Sequence, residues 1–321
     1  MIIRPLRWLE YDDVFLEDQY SEIISRQHVS LEAHLGEHVF GMPVIASPMD
    51  TICGWEMARA MANNGGLGIL HRFMSIEENT REYRLASVGD LLVGVSVGVK
   101  DGEHGRAEAL VRAGAKIVCV DVARGYSKIV GDMVKWLDSR FNDIFIIAGS
   151  TASKDGVKYL ADCGADAVRV GIGNGSVCTT SSKTGIGMPS LSSIIECCES
   201  GVPIIADGGL HKPADIAKAI AAGASMVMLG RMLAGTDETP VKSQWVDGHF
   251  CKPYRGMASV EANSHMSPYA TGEGKLDWIL PQGKVSIVLK DICGGLRSSM
   301  SYCGARNLEE FRQKAKFVCS M

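Results

Sequence analysis

Pro203-Ile-Ile-Ala-Asp-Gly-Gly-Leu-His-Lys-Pro-Ala-Asp-Ile-Ala-Lys-Ala-Ile-Ala-Ala-Gly-Ala-Ser-Met-Val-Met-Leu-Gly230 contains one full repeat of the fold. Its first run, Pro203–Asp207, is apolar without alternation and ends in Asp207-Gly208-Gly209. Lys212–Ala221 then places apolar residues at helical spacing. Ala222-Gly223-Ala224 puts a glycine where a left-handed cap turns a helix into the next element. Ser225–Gly230 is a second apolar run. Strands that do not alternate apolar with polar residues are buried on both faces, as in parallel sheets.

The same pattern extends in both directions. Further apolar runs are Pro43–Ser47, Gly66–His71, Leu92–Val97, Lys116–Asp121, Ile144–Gly149 and Ala167–Gly171. Amphipathic helical stretches lie between them at Trp55–Asn64, Gly105–Ala113, Lys128–Arg140 and Lys154–Cys163. Eight strands alternating with helices predict an α/β fold of the (β/α)8 TIM-barrel type. A doubly wound sheet is the alternative, but no Gly-x-Gly-x-x-Gly follows the first strand. Met74–Leu91 has room for one helix. Trp245–Met321 reads as irregular, glycine-containing segments that wrap the barrel mouth, so residues 1–321 are expected to form a single barrel domain with a C-terminal extension.

The 33 Lys and Arg against 37 Asp and Glu give a net charge of −4, and no half of the chain is strongly basic. A nucleic-acid surface is therefore not expected. The 46% hydrophobic and 22% charged residues are those of an ordered globular chain. Ten cysteines show no Cys-x-x-Cys spacing, which argues against a zinc site or redox motif. A chain of this length needs no disulfide staples, so most of the cysteines read as reduced, buried small hydrophobes. The N-terminus lacks a signal-peptide core, and the longest apolar run, near Ala219–Gly230, is too short to span a membrane. A cytoplasmic protein with no membrane partner is the expectation.

Active sites of such barrels lie at the C-terminal strand ends. Gly208-Gly209 after the seventh strand and Gly230-Arg231 after the eighth form the usual phosphate cradle, although such glycines also make plain turns. The sixth strand end is richer: Gly171-Ile-Gly-Asn-Gly-Ser-Val-Cys-Thr-Thr-Ser-Ser-Lys-Thr-Gly-Ile-Gly-Met-Pro189. Its glycines let the backbone curl around an ion, and it carries one thiol, Cys178, among hydroxyls. A loop cysteine is more often inert than catalytic; at a barrel mouth it becomes a candidate nucleophile.

This loop resembles the catalytic cysteine loop of the IMP dehydrogenase/GMP reductase family. Ser47-Pro-Met-Asp-Thr51, Gly66-Leu-Gly-Ile-Leu-His71, Ala206-Asp-Gly-Gly209, Tyr254-Arg-Gly-Met257, Gly272-Glu-Gly274 and Gly294-Gly-Leu-Arg-Ser298 match family segments in the same order. The resemblance implies a purine nucleoside monophosphate as substrate. Its phosphate would sit on Ser176, Gly208, Gly209, Gly230 and Arg231, its ribose on Asp207. Its base would lie against Met49, Met257 and Gly274, and Ser47, Tyr254 and Gly256 would also bind the nucleotide. Cys178 would bond to C2 of the purine, with Thr180 and Glu273 as proton carriers. A nicotinamide cofactor would lie near Asp121, Ala123, Ser150 and Thr179, with Ser298 reaching towards a neighbouring subunit's cofactor in a homotetramer. A potassium ion would sit on backbone carbonyls of Gly173, Gly175 and Cys178. No CBS-type regulatory insertion is present, and a mobile flap would run over about 258–275.

The resemblance covers two activities. Dehydrogenases of the family oxidise IMP to XMP with NAD and use an Arg-Tyr pair on the flap. Reductases convert GMP to IMP and ammonia with NADPH and use the Thr/Glu dyad. Ala258–Thr271 contains no arginine, while Thr180, Glu273 and Lys183-Thr-Gly185 match the reductase pattern. GMP reductase is therefore the favoured reading. Ser47-Pro-Met-Asp50 and Thr236–Pro240 look more like dehydrogenases, and Asn174, Ser181 and Ala270-Thr-Gly272 depart from the reductase pattern. IMP dehydrogenase and a reductase for a modified or deoxy purine nucleotide stay open, with His265 as a substitute flap base. A nucleotide sensor without catalysis is the reading least consistent with intact Cys178, Thr180, Asp207 and Glu273.

Overall fold

The computed structural model of the chain describes residues 8–259 and 272–319. Eight parallel strands form a closed barrel: Val44–Ala46, Leu67–Leu70, Gly94–Val97, Ile117–Asp121, Phe145–Thr151, Ala167–Val170, Ile204–Asp207 and Met226–Leu229. The eighth closes on the first through Val227↔Val44, Met228↔Ile45 and Leu229↔Ala46. This is the expected (β/α)8 barrel. Every residue of these strands is buried except Asp121 and Asp207, the last residues of the fourth and seventh. Burial on both faces explains the unalternating apolar runs, and the two exceptions mark the mouth.

Helices Trp55–Asn63, Ile76–Ala86, Glu103–Arg112, Lys128–Arg140, Lys154–Asp162, Ser190–Cys198 and Pro213–Ala221 follow the first seven strands. Ser75 and Glu78 close a reciprocal capping box on the second, and Ser153 caps the fifth through Gly156 N–H. Gly114, Gly164 and Gly223 turn three helices into strands with φ of 110°, 107° and 116°, which only glycine adopts easily. At Gly68 the constraint is space: a Cβ there would lie 2.3 Å from Ala58 Cα, so the first helix rests directly on the second strand.

The C-terminal segment corrects one expectation. It is not irregular. Gln244–Val246, His249–Arg255 and Leu276–Ile279 form a three-stranded antiparallel sheet beside the mouth. The 18-residue helix Val285–Tyr302 then packs between Pro213–Ala221 and Trp55–Asn63, as the wall helix that belongs after the eighth strand. Its buried Val285, Leu289, Ile292, Cys293, Leu296 and Met300 follow a helical stripe. The final strand, Lys316–Cys319, pairs with Val14–Glu17 near the other end of the chain. Of the expected flap, residues 260–271, including His265, lie outside the described residues. No helix among the described residues is long and apolar enough to cross a membrane.

At the second strand end, His71 is buried, and its Nδ1 accepts the Phe73 N–H at 3.2 Å. Burial pushes its pKa down to about 4, with the Arg106 and Arg255 charges adding to the effect and Asp50 opposing it.

Two stability measurements follow from this packing. Gly68→Ala should lower unfolding stability by about 1–3 kcal/mol, because helix and strand must separate; a denaturant midpoint equal to the parent's would contradict the contact. For His71 the unfolded pKa is about 6.5. Below that value the unfolded chain binds a proton that the folded one refuses, so stability is full above pH 6.5 and falls as pH drops towards 4. A pH series of midpoints should fall less steeply for His71→Gln than for the parent over that window.

Candidate active site

The strand ends and the loops beyond them enclose a cavity of 830 Å³. Its walls bring together most of the expected residues. Cys178, Thr180 and Glu273 line one side. Ser47, Met49, Tyr254, Gly256 and Met257 line another. Ser176, Gly208, Gly209, Gly230 and Arg231 form one end, with Asp207 beside them. Asp121, Ala123 and Ser150 lie towards the fourth and fifth strands. Three expected residues fall outside the lining: Thr179, Gly274 and Ser298.

Cys178 is held by its backbone. Its N–H donates to the Gly175 carbonyl at 2.9 Å, and it forms an antiparallel bridge with Gly274. Thr179 N–H donates to the Glu273 carbonyl at 2.8 Å, and Lys275 N–H to the Val177 carbonyl at 2.9 Å. This ladder explains Gly274 at the wall's back. The side chains then align: the Cys178 thiol donates to Thr180 Oγ1 at 3.2 Å, and Thr180 Oγ1 donates to Glu273 Oε2 at 2.7 Å. A thiol, a hydroxyl and a carboxylate hydrogen-bonded in series are an arrangement along which a proton can move.

The other cysteines divide by burial. Cys119, Cys197 and Cys198 are pushed up to about 12, chiefly by burial, and burial raises Cys53, Cys293 and Cys303 as well. Cys178 is half-buried, and Cys319 is the exposed one.

Asp207 anchors the centre. Its Oδ2 accepts from Arg169 Nε at 3.2 Å, Arg169 Nη2 at 2.7 Å and Ser150 Oγ at 3.2 Å. The third arm of the guanidinium, Nη1, pairs with Asp121 Oδ1. Burial works against the charge on Arg169, but Asp207 and then Asp121 hold its pKa above the ordinary value. Buried charges need such pairing. Burial, then the Asp207 charge, raises Tyr254, whose ring closes the pocket against Gly230.

At the strand end that carries Asp207, Gly208 and Gly209 have φ of 92° and 75°. The Gly209 N–H donates to the Asn174 carbonyl at 2.9 Å, so it is engaged by the cysteine loop. Asn174 Nδ2 also holds the Met188 carbonyl at 2.6 Å and Ser190 Oγ at 2.8 Å, tying both ends of the loop together. Arg231 Nη1 pairs with Asp277 Oδ2 at 2.5 Å. Ser176 Oγ lies 3.3 Å from His211 Nδ1.

The potassium expectation fits less well. The Gly173 carbonyl accepts from Ser181 Oγ at 3.3 Å and the Gly175 carbonyl from Cys178 N–H. Two of the three expected carbonyls are thus turned to the loop's own donors. A nicotinamide cofactor fits better: Thr179 Oγ1 and Arg72 Nε are buried polar atoms without protein partners, beside or in the cavity wall. Ser298 lies elsewhere. It takes a hydrogen bond from Arg26 Nη1 at 3.0 Å, in a separate cleft with Asp18, Gln19 and Tyr302.

Residues 8–320 match the family model described as the IMP dehydrogenase / GMP reductase domain. An inosine-5'-monophosphate dehydrogenase from Aquifex aeolicus is 44% identical over 72% of this chain, an alignment that spans 50% of that enzyme's length. A GMP reductase from Enterococcus faecalis is 36% identical over 96% of this chain and 95% of its own. A crystal structure of a cysteine-to-alanine GMP reductase from Trypanosoma brucei, in complex with guanosine 5'-monophosphate, superposes with a TM-score of 0.93. It is 30% identical and covers 98% of this chain and 96% of that one. The barrel is therefore one that this chain shares with a family of TIM-barrel dehydrogenases and reductases. The chain belongs to the IMP dehydrogenase/GMP reductase family.

Brief iodoacetamide treatment of the folded protein at neutral pH should label Cys178 and Cys319, and leave Cys53, Cys119 and Cys197 unmodified by peptide mass spectrometry. Equal labelling of Cys119 would contradict the closed barrel interior.

Proposed function

We propose that this protein is a purine nucleotide oxidoreductase that reduces GMP to IMP and ammonia with NADPH. The observation that carries the reading is the Cys178–Thr180–Glu273 series, in which each group hydrogen-bonds the next. Deamination at C2 of a purine needs a nucleophile that adds to that carbon and a proton for the departing nitrogen. As Sγ bonds to C2, the Cys178 thiol gives its proton through Thr180 Oγ1 to the Glu273 carboxylate. Glu273 returns that proton through Thr180 to the 2-amino nitrogen, the C2–N bond breaks and ammonia leaves, and Sγ stays bonded to C2. The cofactor, when bound, supplies a hydride. With hydride on C2, the Sγ–C2 bond breaks, IMP forms, and its electron pair returns to Cys178 as thiolate.

The remaining residues bind and orient. Asp207 accepts the ribose hydroxyls. Ser176, Gly208, Gly230 and Arg231 receive the phosphate, with Gly209 holding the loop instead through Asn174. Met49, Met257 and Tyr254 exclude water around the base, which strengthens every polar contact within. Asp121, Ala123, Ser150 and Thr179 face the cofactor. The separate cleft at Ser298 serves the cofactor of an adjoining subunit in a homotetramer, within one barrel domain that carries its own flap.

A second reading, oxidation of IMP with NAD, draws support from the 44% identity to the Aquifex dehydrogenase. One assay separates the two. Reduced-cofactor absorbance should fall with GMP plus NADPH and stay flat with IMP plus NAD; a rise only in the second mixture overturns the choice.

Cys178→Ser should lose turnover by roughly 10³-fold or more while still binding nucleotide. Near-normal turnover would sink the covalent step. Glu273→Gln should slow ammonia release more than hydride transfer, read by comparing ammonia release from GMP with the reverse hydride step on IMP plus NADP. Equal losses would remove Glu273 from the proton path.

A further inference from the structure

We propose that Arg169 determines the sugar selectivity of this site: by holding one oxygen of Asp207 it aims the other at a ribose diol, so that ribonucleotides are taken and 2′-deoxyribonucleotides refused. The inference rests on the reading of Asp207 as the ribose acceptor.

Arg169 is the third residue of the sixth barrel strand, in register with Ile205 of the seventh. Its side chain is 7% exposed and its neighbours Val168 and Val170 are buried. A guanidinium in this position carries a desolvation penalty of several kcal/mol. An apolar residue there would avoid it, so the pairing has to be read for what it arranges.

An arginine facing a carboxylate commonly bonds both oxygens, one nitrogen to each. Here Nε and Nη2 both converge on Oδ2 of Asp207, and Ser150 Oγ joins them. Among the described residues no donor reaches Oδ1, although Asp207 lines the cavity. The carboxylate is thus fixed in rotation, with one oxygen saturated and one kept for the ligand. A free carboxylate could rotate and satisfy itself with water whether or not a 2′-hydroxyl were present. A fixed one, desolvated by the ligand, is left unpaired when that hydroxyl is missing. Sites built to hydrogen-bond a hydroxyl reject the analogue that lacks it for this reason.

The same guanidinium reaches Asp121 Oδ1 through Nη1, and Asp121 also lines the cavity. Lysine cannot reproduce this arrangement. It is a point charge that would neutralise both carboxylates without orienting either.

The experiment is calorimetric binding of GMP and 2′-deoxy-GMP to the parent, Arg169→Lys and Ser150→Ala, with kcat/KM for both nucleotides alongside. The parent should prefer GMP by roughly 10²-fold or more. Arg169→Lys should shrink that ratio at least tenfold by weakening GMP far more than 2′-deoxy-GMP. Ser150→Ala, which keeps the arginine, should shift it the same way by less, and it tests the idea even if Arg169→Lys fails to fold. A uniform loss of affinity for both nucleotides, with the ratio unchanged in every folded variant, assigns Arg169 to scaffolding and overturns the proposal. A parent that binds both nucleotides equally overturns it as well, and leaves the reductase reading standing. A parent that binds neither nucleotide removes both.

Discussion

Two stretches of backbone, one after the sixth barrel strand and one leading into the last strand of the antiparallel sheet, run side by side at the mouth. Thr179 donates to Glu273, and Lys275 donates to Val177. A chain separation of 93 residues between Thr180 and Glu273 is closed by that short ladder. Gly256 and Gly274 make it possible, since a Cβ on Gly274 would lie 3.1 Å from Gly256 Cα, and one on Gly256 would lie 2.9 Å from the Val177 carbonyl. Everything the thiol does depends on this contact. Side-chain hydrogen bonds can orient a carboxylate within a site, but main-chain bonds decide whether it is in the site at all.

Within the barrel the same logic applies to charge. The barrel strands are apolar for most of their length, with Ser96 and Arg169 buried among them, and two of them end in the half-exposed carboxylates Asp121 and Asp207. A carboxylate at such a boundary sees a low dielectric on one side and the cavity on the other, so its interactions are stronger than at a free surface. Dipoles and charges already aligned before a ligand arrives need no reorganisation when it reacts, which is the main electrostatic resource of an enzyme. The buried guanidinium and the mouth carboxylates form such a set.

The barrel was readable from sequence because its strands are buried on both faces, and because glycine marks the helix–strand turns at 114, 164 and 223. Cys178 was readable because a thiol among glycines and hydroxyls stands out. The wall helix Val285–Tyr302 was not, because its apolar stripe begins after more than fifty residues of loop and sheet, beyond the point where the strand–helix rhythm had lapsed. Arg169 was also hidden. In Ala-Val-Arg-Val it reads as one stray charge in an apolar strand, and its partners are the final residues of two other strands. Glu273 entered only through motif resemblance, since no local periodicity connects it with Cys178. Ser298 has a legible motif, but its cleft is not the mouth cavity, and sequence order carries no information about which cavity a residue faces.

The barrel's eighth strand ends at Leu229 and its wall helix begins at Val285, with the antiparallel sheet and Glu273 carried between them. The cover of the site is thus an excursion spliced into the barrel's own circuit, fixed at both ends by the wall. Loop-closure entropy grows only logarithmically, by about 0.6 kcal/mol for each doubling of length. The excursion can therefore be lengthened, shortened or rewritten with little effect on closure of the barrel. Such an arrangement separates two kinds of evolutionary change: the scaffold and the residues at its strand ends stay fixed, while the groups that face the cavity from the excursion are exchanged by editing one interchangeable segment.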